Sequence, residues 1–200
     1  MKPPLLDPCN DLVFKCLFGQ SKALLTDLIN ALRYDQAPVE VVEILNPQVN
    51  IQQIHDKFIV LDILARDSEG LFFNVEMQMQ RREEWGQRGV YYLAKTLAAQ
   101  LHTGEVYAYL KPVIGIHLLA YDLFPHESQA RWCFEMRDQH QPAVRLGSIL
   151  QLNVVELKKW RKMKSRIYII IKRSSLVFIK QVVYFFNLYP NKSSWPYNGT

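Results

Sequence analysis

The chain has 200 residues, of which 49% are hydrophobic and 12% aromatic, and a formal charge of +5. That length suits one domain or one domain with an appendage, and the composition supplies a core and excludes a disordered chain. Cys9, Cys16 and Cys133 form no CxxC pair and no Cys/His ligand spacing, which excludes a disulfide scaffold and a zinc site and fits a reducing cytoplasm.

The charge is unevenly spread. No Asp or Glu follows Glu156, whereas ten of the 24 Lys and Arg residues do, so residues 1–157 hold 14 basic against 19 acidic residues, a net −5. The start, Met1 to Asp7, has no long apolar run, so no signal peptide is expected. Asp11 to Phe18 reads as a short helix with Val13, Phe14, Leu17 and Phe18 inward. Ser21 reads as the N-cap of a second helix, whose stripe is Leu24, Leu25, Leu28, Ile29 and Leu32. Val39 to Leu45 is a strand stopped by Asn46-Pro47. After a hairpin, helix returns from about Trp85 to His102, with Val90, Ala94, Leu97, Ala98 and Leu101 on one side. Val113 to Tyr121 is nearly continuous apolar sequence, the pattern of a strand buried on both faces. Arg131 to Arg137 alternates, as a half-buried strand does, and Ile149 to Leu157 is a further strand. The five histidines, His55, His102, His117, His126 and His140, show no HxxxH or HxH spacing and receive no role.

From about Lys162 the character changes. Tyr168 to Ile171, Leu176 to Ile179 and Val182 to Phe186 are apolar windows broken by Lys172-Arg173 and Lys180, so no membrane span of about 20 residues fits. Residues 1–160 are therefore expected to form one domain and 161–200 a basic, apolar-rich tail. The tail reads equally as a nucleic-acid anchor and as the product of a frameshift.

The hairpin carries the chemistry. Phe58 to Ala65 and Leu71 to Met79 are strand-forming runs joined by Asp67-Ser68-Glu69-Gly70. Asp67 suits the first position of a type I turn, and Gly70 suits the left-handed position that closes a three-residue loop. Asp67 then pairs with Leu71, and counting back sets Asp62 opposite Glu76, roughly 4.5–5.5 Å apart at Cβ. A loop one residue longer or shorter would put the two on opposite faces. Two carboxylates that close repel unless protonated or neutralised, and a divalent cation held by oxygen ligands neutralises them. Strand alternation adds Asn74 and Gln78 to the Glu76 face and sends Phe73, Val75, Met77 and Met79 to the other. One face is expected to be core and the other a polar pocket.

At these residues the chain resembles the PD-(D/E)xK nucleases, and more closely the bacterial recombination-promoting nucleases and transposases of that type. The resemblance is carried by Asn10 to Gly19, Val42 to Pro47, Asp56-Lys57 through Asp62, Asn74-Val75-Glu76-Met77-Gln78, Arg88 to Gln100, and Pro112 to Tyr121, spanning roughly residues 7–160. It implies an α/β, restriction-endonuclease-like core: a mixed central sheet flanked by helices. It implies DNA cleavage dependent on Mg²⁺ or Mn²⁺ in a bacterial cytoplasm, with DNA as partner, no membrane, and room for a homo-oligomer. Asp62 matches the motif Asp, Glu76 the motif acid, and Gln78 the position usually held by Lys. The Met77 carbonyl is a further metal ligand, and Asp11 matches an acidic residue of the first helix. Gln78 can orient water but cannot neutralise charge developing on phosphate; Lys57 and Lys95 are the candidate cations for that task. The alternative is a catalytically silent DNA-binding or assembly protein that keeps the fold.

Overall fold

The computed structural model describes residues 11–46 and 62–162. The element order is α1 (Asp11–Phe18), α2 (Lys22–Leu32), β1 (Val41–Ile44), β2 (Ile63–Asp67), β3 (Phe72–Gln78), α3 (Trp85–Ala98), β4 (Val113–Leu119), β5 (Arg131–Glu135), β6 (Leu150–Glu156) and α4 (Leu157–Lys162). A 3-10 turn, Tyr107–Tyr109, lies between α3 and β4. Lys57, the start of the first hairpin run at Phe58 to Leu61, and the tail from residue 163 lie outside the described residues.

The six strands form one sheet in the order β1-β2-β3-β4-β6-β5. β3, β4 and β6 run parallel at its centre; β1, β2 and β5 are antiparallel to their neighbours. This is the mixed sheet with flanking helices of an α/β, restriction-endonuclease-like fold. All seven residues of β4 are buried, as its unbroken apolar run requires.

The two helices before the sheet form as their sequences dictate. Ser21 Oγ accepts from the Leu24 amide at 3.3 Å and caps α2, whose Leu25, Leu28, Ile29 and Leu32 are buried. With Phe14, Leu17 and Phe18 of α1 they pack on Ile63, Ala65, Phe73, Val75, Met77, Ile114, Ile116 and Leu118, the larger core. The opposite face of the sheet is covered by α3. There Trp85 and Leu93 pack with Val113, Leu119, Tyr121, Leu152 and Val154.

The face of α3 differs from the sequence expectation. Val90 is exposed, as are Ala94 and Ala98, while Trp85, Gly89 and Leu93 are buried and Leu97, of the expected stripe, packs partly buried against the same cluster. Both stripes have helical spacing; the sheet beneath selects the one containing Gly89, because a Cβ there would meet His117 Cε1 at 3.2 Å. The sheet has its own close approach at Gly115, where an added Cβ would meet Leu152 Cδ1 at 2.8 Å and Leu93 Cδ2 at 3.1 Å. Gly115→Ala is therefore expected to lower stability by about 1–3 kcal/mol through overpacking, measured by urea denaturation; an unchanged midpoint would contradict this packing. Among the described residues no helix is long and apolar enough to cross a membrane.

Candidate active site

The hairpin between the two acids forms as the turn chemistry requires. Gly70 has φ +89°, the Asp67 amide donates to the Leu71 carbonyl at 3.1 Å, and Asp67 Oδ1 accepts from the Glu69 and Leu71 amides at 3.0 and 2.8 Å. The register runs Arg66↔Phe72, Ala65↔Phe73, Leu64↔Asn74 and Ile63↔Val75. The paired residues end at Ile63↔Val75, and Asp62 and Glu76 are the next residue along each strand. Both are buried, at 3% and 5% exposure.

Asp62 is fixed from behind. Its carbonyl accepts from Lys15 Nζ of α1 and from Asn46 Nδ2, each at 2.9 Å. Asn46 Oδ1 in turn accepts from the Leu64 amide at 2.7 Å, so this side chain substitutes for a strand partner just where β1 ends. Lys15 is buried, and burial lowers its pKa while the Asp62 charge opposes the shift. The carboxylate itself is less occupied: Asp62 Oδ1 is buried with no hydrogen-bond partner among the described residues. A buried carboxylate oxygen without a donor is costly, and a cation removes that cost. The donor set therefore fits a hard divalent metal.

Glu76 is bordered by α3 and β4. Arg88 Nη2 lies 3.5 Å from its Oε1, and His117 Nδ1 lies 3.6 Å from its Oε2. β3 and β4 pair Glu76 directly with His117. Burial, reinforced by the Arg88 charge, lowers the His117 pKa to about 4, so the imidazole is neutral and the contact with Glu76 is not an ion pair. Trp85 meets the His117 ring edge-on at 5.5 Å. The Tyr121 hydroxyl is pushed up to about 12 by burial and by the Glu76 charge, partly offset by Arg81 and Arg82.

Gln78 is buried on the same face and donates from Nε2 to the Gln80 carbonyl at 3.3 Å. The Met77 side chain lies in the larger core, leaving only its carbonyl for a ligand role. Asp11 opens α1. Lys95 is exposed on α3, seven residues beyond Arg88, or roughly 10 Å along the helix. Arg88 is the α3 cation that reaches Glu76. No group of three or more His, Cys, Asp or Glu side chains gathers into a metal cluster among the described residues.

Asn74, Glu76 and Gln78 are buried along β3 as a polar strip bordered by the apolar cluster under α3. Lys15, Asn46, Arg88, His117 and Tyr121 were not singled out in the sequence. One signal was available: His117 is the one basic residue in the apolar run Val113 to Tyr121.

The chain matches the model of the PD-(D/E)XK nuclease family transposases over residues 8–182, which carries the likeness beyond the expected limit near residue 160. No curated protein and no solved structure matches it. The ordered motifs, the mixed sheet and this match over most of the length agree: the chain belongs to the PD-(D/E)XK nuclease family transposases.

Proposed function

We propose that this nuclease-family protein is a metal-dependent DNA endonuclease in which Asp62 and Glu76 hold Mg²⁺ or Mn²⁺. The observation that carries the reading is the buried Asp62 Oδ1 without a donor among the described residues, on the residue that precedes Ile63 of β2 as Glu76 follows Val75, the partner of Ile63 in β3. The Met77 carbonyl would complete the protein's share of the ligands. A bound cation supplies Lewis-acid charge that makes water a better nucleophile and stabilises negative charge on phosphate.

The chain's own residues do the rest. Lys15 and Asn46 hold the Asp62 backbone, so its carboxylate is presented at a fixed depth. Neutral His117 borders Glu76 without cancelling its charge. Gln78 orients the attacking water by hydrogen bonding. Asp11 and Lys57 take supporting places, Asp11 from α1 and Lys57 from the segment before Asp62. The protein works on DNA in the bacterial cytoplasm.

A plasmid-nicking assay with Mg²⁺ and with chelator tests this. Cleavage that needs the cation supports it; duplex binding without cleavage would favour the silent DNA-binding alternative. Within the same assay Gln78→Leu is expected to lower the single-turnover rate about 10²-fold with metal affinity nearly unchanged. Gln78→Lys should remain active, since it restores the commoner motif cation. A Leu variant as fast as wild type would remove Gln78 from the chemistry.

A further inference from the structure

With Gln78 in place of the motif lysine, the site lacks a cation at that position, and α3 offers one. We propose that Arg88 is the residue that contacts the scissile phosphate and neutralises the charge growing on it. The inference rests on the endonuclease reading above and deepens it.

Three observations carry it. Arg88 holds Glu76 only loosely, at 3.5 Å, while its buried Nε has no acceptor among the described residues. A guanidinium is a planar fork of five donors suited to two oxygens of one phosphate, so this fork is under-used. Its side chain is 37% exposed, against 7% for Glu76, so a phosphate in solvent can reach the guanidinium while the carboxylate beside it stays buried. The Tyr92 ring, with its centroid 5.1 Å from the guanidinium carbon, keeps the group on this side of α3.

The surroundings favour a phosphate there. Residues 1–157 carry a net charge of −5, so DNA needs a local basic entry. Arg81 and Arg82, exposed just before α3, add positive charge on the chain segment that leads from Gln78 to Arg88. In the free protein Arg88 balances Glu76. Once Glu76 is committed to a cation, Arg88 is released to the phosphate, so the charge absent at residue 78 is supplied from the helix.

The test compares wild type, Arg88→Lys and Arg88→Met. It uses single-turnover cleavage at saturating Mg²⁺, Mn²⁺ calorimetry, and duplex binding in Ca²⁺ across a salt series. Arg88→Met is expected to slow cleavage about 10²–10³-fold, with Mn²⁺ affinity unchanged or higher because a competitor for Glu76 is gone. The slope of log affinity on log salt should shrink by about 0.9, the loss of one phosphate contact. Arg88→Lys should recover part of the rate, and it carries the test if the Met variant fails to fold.

Wild-type rate and salt slope in Arg88→Met would overturn the assignment. A rate loss that disappears when metal is raised would also overturn it, because Arg88 would then act only through Glu76. These failures occur with an active, metal-binding wild type. A wild type that neither cleaves nor binds Mn²⁺ refutes the endonuclease reading itself, and this inference falls with it.

Discussion

Replacing Asp62 or Glu76 by Ala should lower Mg²⁺-dependent cleavage by on the order of 10³-fold or more, because each removes one of the two carboxylates proposed to hold the metal. The fold should survive. Asp62 Oδ1 lacks a hydrogen-bond partner among the described residues, so its removal discards a buried charge that costs stability in the metal-free state, which offsets the loss of a negative charge near buried Lys15. Glu76 sits buried beside a neutral imidazole and a loosely placed Arg88, and Arg88 is exposed enough to be solvated when its partner is lost. Melting temperatures in chelator should therefore hold or rise in both variants. Asp62→Asn and Glu76→Gln keep the side-chain volume and should be as inactive as the Ala variants. Retained nicking in either pair would remove that residue from the site.

The second large effect is a pH dependence of stability. His117 is buried and titrates near 4 in the folded protein, against 6.5 for an ordinary histidine, because burial and the nearby Arg88 disfavour its charged form. The unfolded chain thus takes up this proton first. Stability from this group is complete above about pH 6.5 and is lost as the pH falls toward about 4. At pH 5 the loss is about 2 kcal/mol by linkage. His117→Leu has no such proton to gain and leaves a side chain of similar volume. Urea denaturation in chelator at pH 7 and pH 5 should show wild type losing about 2 kcal/mol more than His117→Leu. Equal losses would mean that His117 is charged or solvated in the native state.

The hairpin register was legible because its determinants are local. Asp67 and Gly70 specify the turn, and the turn specifies the pairing from Arg66↔Phe72 to Ile63↔Val75. β4 was legible because a strand covered on both faces shows an uninterrupted apolar run. The face of α3 was not, since two stripes share the helical period. The decision between them lies in how closely His117 approaches Gly89, which periodicity does not encode. Lys15 and Arg88 escaped notice for a related reason. Long cationic side chains read as solvent-facing, yet their stems carry the charge across packed elements to Asp62 and Glu76. Asn46 read as the stop of a strand, and it also continues the hydrogen bonding of that strand with its side chain.

The central claim is that Asp62 and Glu76 together hold a divalent cation. Calorimetric titration of Mn²⁺ into wild type and into the volume-conserving double variant Asp62→Asn/Glu76→Gln tests it without reference to DNA. Wild type should bind with a measurable heat, and the double variant should show none while melting at an equal or higher temperature in chelator. Binding of equal strength in both proteins would contradict the account.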